Sequence, residues 1–92
     1  MNFLEPDYRH TTSDIWEAAA LWANGQPISH TERDGETVIF CFSAGPGVAE
    51  AADVYHRGDL RVSALQYHQG YMQMRALMRG VLGPQASRAR RR

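Results

Sequence analysis

The sequence predicts a small single α+β domain in the order α-β-β-α-α, an antiparallel β-hairpin packed by three helices. Three observations lead there. Apolar residues recur at helical spacing in three separate segments, an alternating apolar run follows Asp34-Gly35, and glycines punctuate the ends of the segments. With 92 residues the chain is long enough for one small core and too short for two.

Residues 1–11, with Pro6 and mixed charge, read as an extended N-terminal arm ahead of a domain spanning 12–83. Ser13 or Asp14 caps the first helix, and Asp14 with Glu17 has capping-box spacing. Ile15, Ala18, Ala19 and Trp22 form its inward stripe, while Trp16 lies off that stripe and is expected half-buried under the hairpin. Asn24-Gly25 and Pro27 stop this helix.

"PISHTERDGETVIFCF" reads as a hairpin around Asp34-Gly35, a pair suited to a type I′ turn. A two-residue turn sets Arg33 opposite Glu36 and Thr31 opposite Val38, avoiding the Glu32–Glu36 clash of a three-residue loop. Val38, Phe40 and Phe42 then share one face, Ile39 and Cys41 the other. A strand apolar on both sides belongs in the centre of a sheet or under cover on both faces.

"GPGVAEAADVYHRGD" predicts the second helix, with Val48, Ala51, Ala52 and Tyr55 inward and Gly58 as its stop. A lone hairpin is marginal and leaves open edges, so "DLRV", residues 59–62, or a second copy of the chain in a homodimer, is expected to extend it. Ser63 and Gln66 cap the third helix, and Tyr67, Tyr71, Met74, Met78 and Val81 follow at core spacing. Gly70 and Gly80 each weaken it by about 1 kcal/mol relative to alanine. The helix is expected to end near Gly83-Pro84, leaving 84–92 as a disordered arginine-rich tail.

Cys41 is the single cysteine, so no intramolecular disulfide can form, and its apolar neighbours suggest a buried thiol. "MNFLEPDYRH" lacks the pattern of a secretory signal, and no apolar run approaches the ~20 residues of a membrane span. A soluble, cytoplasmic protein with no membrane partner is expected.

Zero net charge hides a strong division. Residues 1–59 hold all ten acidic residues against three arginines, net −7, whereas residues 60–92 hold seven arginines and no acid, net +7. Such asymmetry points to anionic partners, or to halves that neutralise each other.

No catalytic signature accompanies this division. Gly45-Pro46-Gly47 after an apolar strand invites comparison with phosphate-binding loops, but the Walker lysine is missing and Glu50 stands where a dinucleotide loop needs its third glycine. The four histidines, His10, His30, His56 and His68, lie at no metal-ligand spacing beyond the Asp53–His56 pair, so no metal or cofactor is expected. Ser43, Ser63 and Cys41 sit in no nucleophile elbow, although Glu17 or Asp53 can pair with a histidine across the fold.

What remains is basic. His68, Arg75 and Arg79 fall within roughly 40° on the third helix, beside the core stripe, and lead into Arg88, Arg90, Arg91 and Arg92. Guanidinium groups on a helix face continued by an arginine arm can neutralise phosphates. Tyr67, Tyr71, Gln69 and Gln73 are near enough to add stacking or hydrogen bonds. The same pattern also suits a solvated helix face whose charge the acidic half offsets.

"TSDIWEAAALWANG", "VIFCF" and "VYHRGDLRV", with Tyr67 and Leu77, resemble a family of short phage- and prokaryote-borne domains of unknown function over residues 12–82. The resemblance implies the helix–hairpin–helix–helix order and a phage or mobile-element setting. It implies no activity, because the matching positions are packing and turn residues.

The sequence thus points to a non-enzymatic module that contacts nucleic-acid phosphates, without sequence specificity, through His68, Arg75, Arg79, Arg88, Arg90, Arg91 and Arg92. The alternative is a protein-interaction module, a phage accessory or inhibitor protein or an assembly subunit, acting through its acidic half or by dimerisation.

Overall fold

A computed structural model of the chain describes the backbone of residues 10–43 and 45–91, with side chains through Gly83 except that of Pro46. The elements are β1 (His10–Thr12), α1 (Ile15–Ala23), β2 (Ile28–Asp34), β3 (Thr37–Phe42), α2 (Pro46–His56) and α3 (Ala64–Arg91). The expected α-β-β-α-α order is present, preceded by one short strand, and the class is α+β. The remainder of the expected N-terminal arm, residues 1–9, lies outside the described residues.

The three strands form an antiparallel sheet in the order β1-β3-β2. β3 is central, as its apolar character on both faces requires. Its Val38, Phe40 and Phe42 join Ala18, Ala19 and Leu21 of α1, Val48, Ala51 and Ala52 of α2, and Met74 of α3 in one core.

The strand that extends the hairpin is therefore His10–Thr12, not residues 59–62. Leu60 packs on the core instead, and Arg61 and Val62 line a surface cleft. Pairing His10 with Phe42 and Thr12 with Phe40 covers one edge of β3 with His10 and Thr11 of the expected arm and Thr12, the first residue of the expected domain.

The hairpin register also differs from expectation. Arg33 faces Val38, Thr31 faces Phe40 and Asp34 faces Thr37, so the two turn residues are Gly35 and Glu36. Gly35 adopts φ 65° at the first of them, a conformation that glycine enters without the steric cost other residues meet. The observed and expected pairings differ by a whole side-chain repeat, so both bury Val38, Phe40 and Phe42, and the inside–outside pattern cannot tell them apart.

Asp14 caps α1, its carboxylate accepting from the Trp16 amide at 2.9 Å. α1 and α3 meet at Gly70. A Cβ there would lie 2.7 Å from the Ala19 carbonyl oxygen and 3.2 Å from the Trp22 ring, so only glycine permits this approach. The glycine that costs helix propensity in the sequence is what lets the two helices touch.

Beyond Gly83 the backbone is helical to Arg91 rather than irregular. Gly83, at φ 80° and ψ 170°, breaks α3, and Pro84 follows at the start of the new segment. Proline is well placed there because its missing N–H is one no helix start can satisfy.

Candidate nucleic-acid interface

Trp16 stands in the first turn of α1, where the helix crosses α3. It is 49% exposed and does not lie under the hairpin. Its indole stacks on the Tyr71 ring, with centroids 4.5 Å apart and planes 9° from parallel. Tyr67 completes the group at 6.1 Å and 53°, and its hydroxyl donates to the Trp16 carbonyl at 3.4 Å. Inward spacing placed Tyr67 and Tyr71 in the core; both are half-buried, each with an edge at the surface.

Arginine continues this platform. Arg75 sits one turn after Tyr71; its guanidinium carbon lies 5.8 Å from the Tyr71 ring centre, and Nη1 donates to the Tyr71 hydroxyl at 3.5 Å. That geometry combines a cation–π contact with a marginal hydrogen bond. Arg79 is exposed one turn further, and His68 is exposed toward the helix start. Among the described residues neither Arg75 nor Arg79 pairs with a carboxylate; the arginine ion pairs there join Arg57 to Asp53 and Asp59. The side chains of Arg88, Arg90 and Arg91, and the whole of Arg92, lie outside the described residues.

Leu65, His68, Met72, Arg75 and Arg79 share one exposed strip within roughly 80° of helix circumference. Leu65 is 65% exposed and Met72 51%. The strip is thus mixed, basic toward the C-terminal end and interrupted by two apolar side chains.

Next to the platform a cleft of about 550 Å³ is lined by Ala20, Tyr55, Gly58, Leu60, Arg61, Val62 and Tyr67. Burial raises the Tyr55 and Tyr67 hydroxyls above the ordinary tyrosine range, and the nearby Asp14 carboxylate adds to this in both. They therefore stay protonated as hydrogen-bond donors through neutral pH. Tyr67 is common to cleft and platform.

The sequence leaves open whether Glu17 meets a histidine, and it meets two. Glu17 is buried; His10 Nε2 lies 2.7 Å and His56 Nε2 3.1 Å from its Oε2, while the Thr12 hydroxyl donates to Oε1 at 2.8 Å. Glu17 does not complete the expected capping box, since the Asp14 amide donates to Thr12 Oγ1 instead. Both carboxylate oxygens are engaged, and neither Glu17 nor its histidines line the cleft. This arrangement ties β1, α1 and α2 together.

Gly45 is the N-cap of α2, whose first residues are Pro46 and Gly47, and the nearest group to a Cβ at Gly47 is the Gln26 side chain, 3.5 Å away. Among the described residues no helix is long and apolar enough to cross a membrane. In comparisons with protein families, characterised proteins and solved structures, the chain matches none.

Proposed function

We propose that the chain is a small non-enzymatic module that binds single-stranded nucleic acid without sequence preference, in the phage or mobile-element setting its sequence suggests. The observation that carries this reading is the exposed Trp16–Tyr71 stack with Arg75 beside it. An aromatic face accepts any base, and adjacent guanidinium groups hold the backbone, which is how sequence-tolerant single-strand binders work. Trp16 stays 49% exposed beside this stack, so its indole remains reachable from solvent.

Arg75 and Arg79 supply charge that no carboxylate of the described residues neutralises. In the sequence this basic row is followed by Arg88, Arg90, Arg91 and Arg92. The cleft between Tyr55 and Tyr67, with Arg61 at its wall, has room for a base turned out of the strand.

The test is a titration of a labelled single-stranded oligonucleotide at several salt concentrations. About four phosphate contacts give a log–log slope near −2.8 for a single strand. Removal of residues 86–92 should take away most of the affinity. Binding that ignores salt, or none at low salt, contradicts the proposal.

A second reading draws on Leu65 and Met72, whose exposure on the same strip suits association of two copies through α3. A native mass of two chains that persists after nuclease treatment, with no oligonucleotide bound, favours it.

A further inference from the structure

We infer that His30, Glu32 and Cys41 form a three-ligand site for a thiophilic divalent transition ion, zinc above all, on the sheet face turned away from the helices. The three residues are remote in sequence from any metal-ligand spacing, and strand pairing alone assembles them. His30 faces Cys41 across the β2–β3 pair, and Glu32 follows two residues later on the same side. A register irregularity between Ile28 and His30 re-aims the chain just before the histidine.

One ligand atom from each residue lies within 4.8 Å of the other two. Zinc holds thiolate at about 2.3 Å and imidazole or carboxylate at about 2.0–2.2 Å. Ligand atoms already this close reach those distances through side-chain rotation, with no movement of the strands. His30 and Glu32 are exposed, whereas Cys41 is buried at the base of the group.

The chemistry selects the ion. One thiolate and one carboxylate cancel a double positive charge, and the imidazole adds a neutral donor. A sulfur–nitrogen–oxygen set favours zinc or cobalt and is unsuited to magnesium or calcium, which prefer all-oxygen shells. Three protein ligands leave a fourth position for water or a partner's side chain.

An orienting partner is present as well. Ser29 Oγ lies 3.0 Å from His30 Nδ1, and His30 Nε2 lies 3.0 Å from Glu32 Oε2. With the ring proton on Nδ1 and donated to Ser29, Nε2 is released from Glu32 and its lone pair is available to the metal. Cys41 binds as thiolate, so one thiol proton leaves to solvent for each ion bound.

The experiment is a titration of the full chain with cobalt(II) under reducing conditions, followed by zinc. A thiolate-to-cobalt charge-transfer band should grow to one equivalent, with the visible bands of a tetrahedral ion, and zinc should abolish both. Cys41→Ala should remove the band. His30→Ala and Glu32→Gln should each weaken binding by more than the roughly tenfold that loss of even an outer hydrogen-bond partner costs. Both are surface changes, so they keep the test decisive if Cys41→Ala unfolds. His10→Gln with His56→Gln should leave cobalt binding unaltered. Absence of the band, unchanged affinity in His30→Ala and Glu32→Gln, or loss of binding in the His10/His56 variant would overturn the assignment.

Discussion

The Trp16 and Tyr71 rings lie nearly parallel, 4.5 Å between centroids, although one residue sits in the first turn of α1 and the other in α3. Their contact exists because Gly70, one residue before Tyr71, lets the two helices approach to backbone distance. Replacing Trp16 with alanine should therefore act mainly on binding. Base stacking on an aromatic side chain is worth about 1–3 kcal/mol, whereas each of the Trp16 ring pairs with Tyr71 and Tyr67 contributes about 0.5–1.5 kcal/mol to the fold beyond the area it buries. Oligonucleotide affinity should fall about fivefold to 150-fold, measured by anisotropy at fixed salt, while the variant remains folded.

Charge removal should leave a different signature. Arg75→Ala with Arg79→Ala removes two phosphate contacts and should reduce the salt slope by about 1.4 for a single strand. Trp16→Ala should lower affinity at every salt concentration without changing that slope. A slope unchanged in the arginine double variant would show that these guanidinium groups do not face phosphate.

Two glycines of the same helix should respond oppositely to alanine. At Gly70 the new Cβ meets the Ala19 carbonyl at 2.7 Å, so α1 and α3 must separate, and overpacking of this kind costs about 1–3 kcal/mol. At Gly80 nothing lies within 4 Å, so alanine should stabilise by up to about 1 kcal/mol through helix propensity. Urea midpoints at unchanged m-value distinguish the two outcomes.

Glu17 predicts a graded loss. Alanine there strips partners from His10, His56 and Thr12 at a buried position, and hydrogen bonds to a charged group contribute about 1.5–3 kcal/mol. Glutamine keeps one acceptor oxygen and should be milder. Chemical denaturation should rank wild type, Glu17→Gln and Glu17→Ala in falling order of stability.

High pH should destabilise the chain through its tyrosines. Tyr55 and Tyr67 both titrate above 10.0, the ordinary tyrosine value, with burial as the main cause. Below that value both folded and unfolded chains hold the protons and no pH dependence arises. As pH rises above it the unfolded chain releases protons first, so stability falls until the folded hydroxyls ionise too. Thermal melts from pH 9 to 11 should show that decline, and Tyr55→Phe with Tyr67→Phe should flatten it.

How far the sequence discloses this molecule can be judged from particular residues. The helical stripes mark the buried faces well, because Ala18, Ala19, Val48, Ala51, Ala52 and Met74 follow simple periodicity. The β-turn position was not legible, because pairings one side-chain repeat apart bury the same residues. β1 was missed for a related reason: three residues carry too little alternation to register as a strand.

The site was legible only in part. The exposed arginines on α3 follow from helical spacing, but the stacking of Trp16 on Tyr71 depends on the crossing of two helices, which no local pattern encodes. Gly70 was the available clue, since a glycine inside a strongly periodic helix often marks a close approach. The cluster of His30, Glu32 and Cys41 depends on cross-strand register, so linear spacing could not reveal it.

The central claim is that Trp16 meets the bases of a single strand. Trp22→Phe leaves Trp16 as the only tryptophan of the two in the chain, so fluorescence then reports on that residue alone. Titration with an oligothymidylate should quench the emission saturably, and added salt should reverse it. Saturable oligonucleotide binding that leaves Trp16 emission unchanged, or no binding at low salt, would contradict the account.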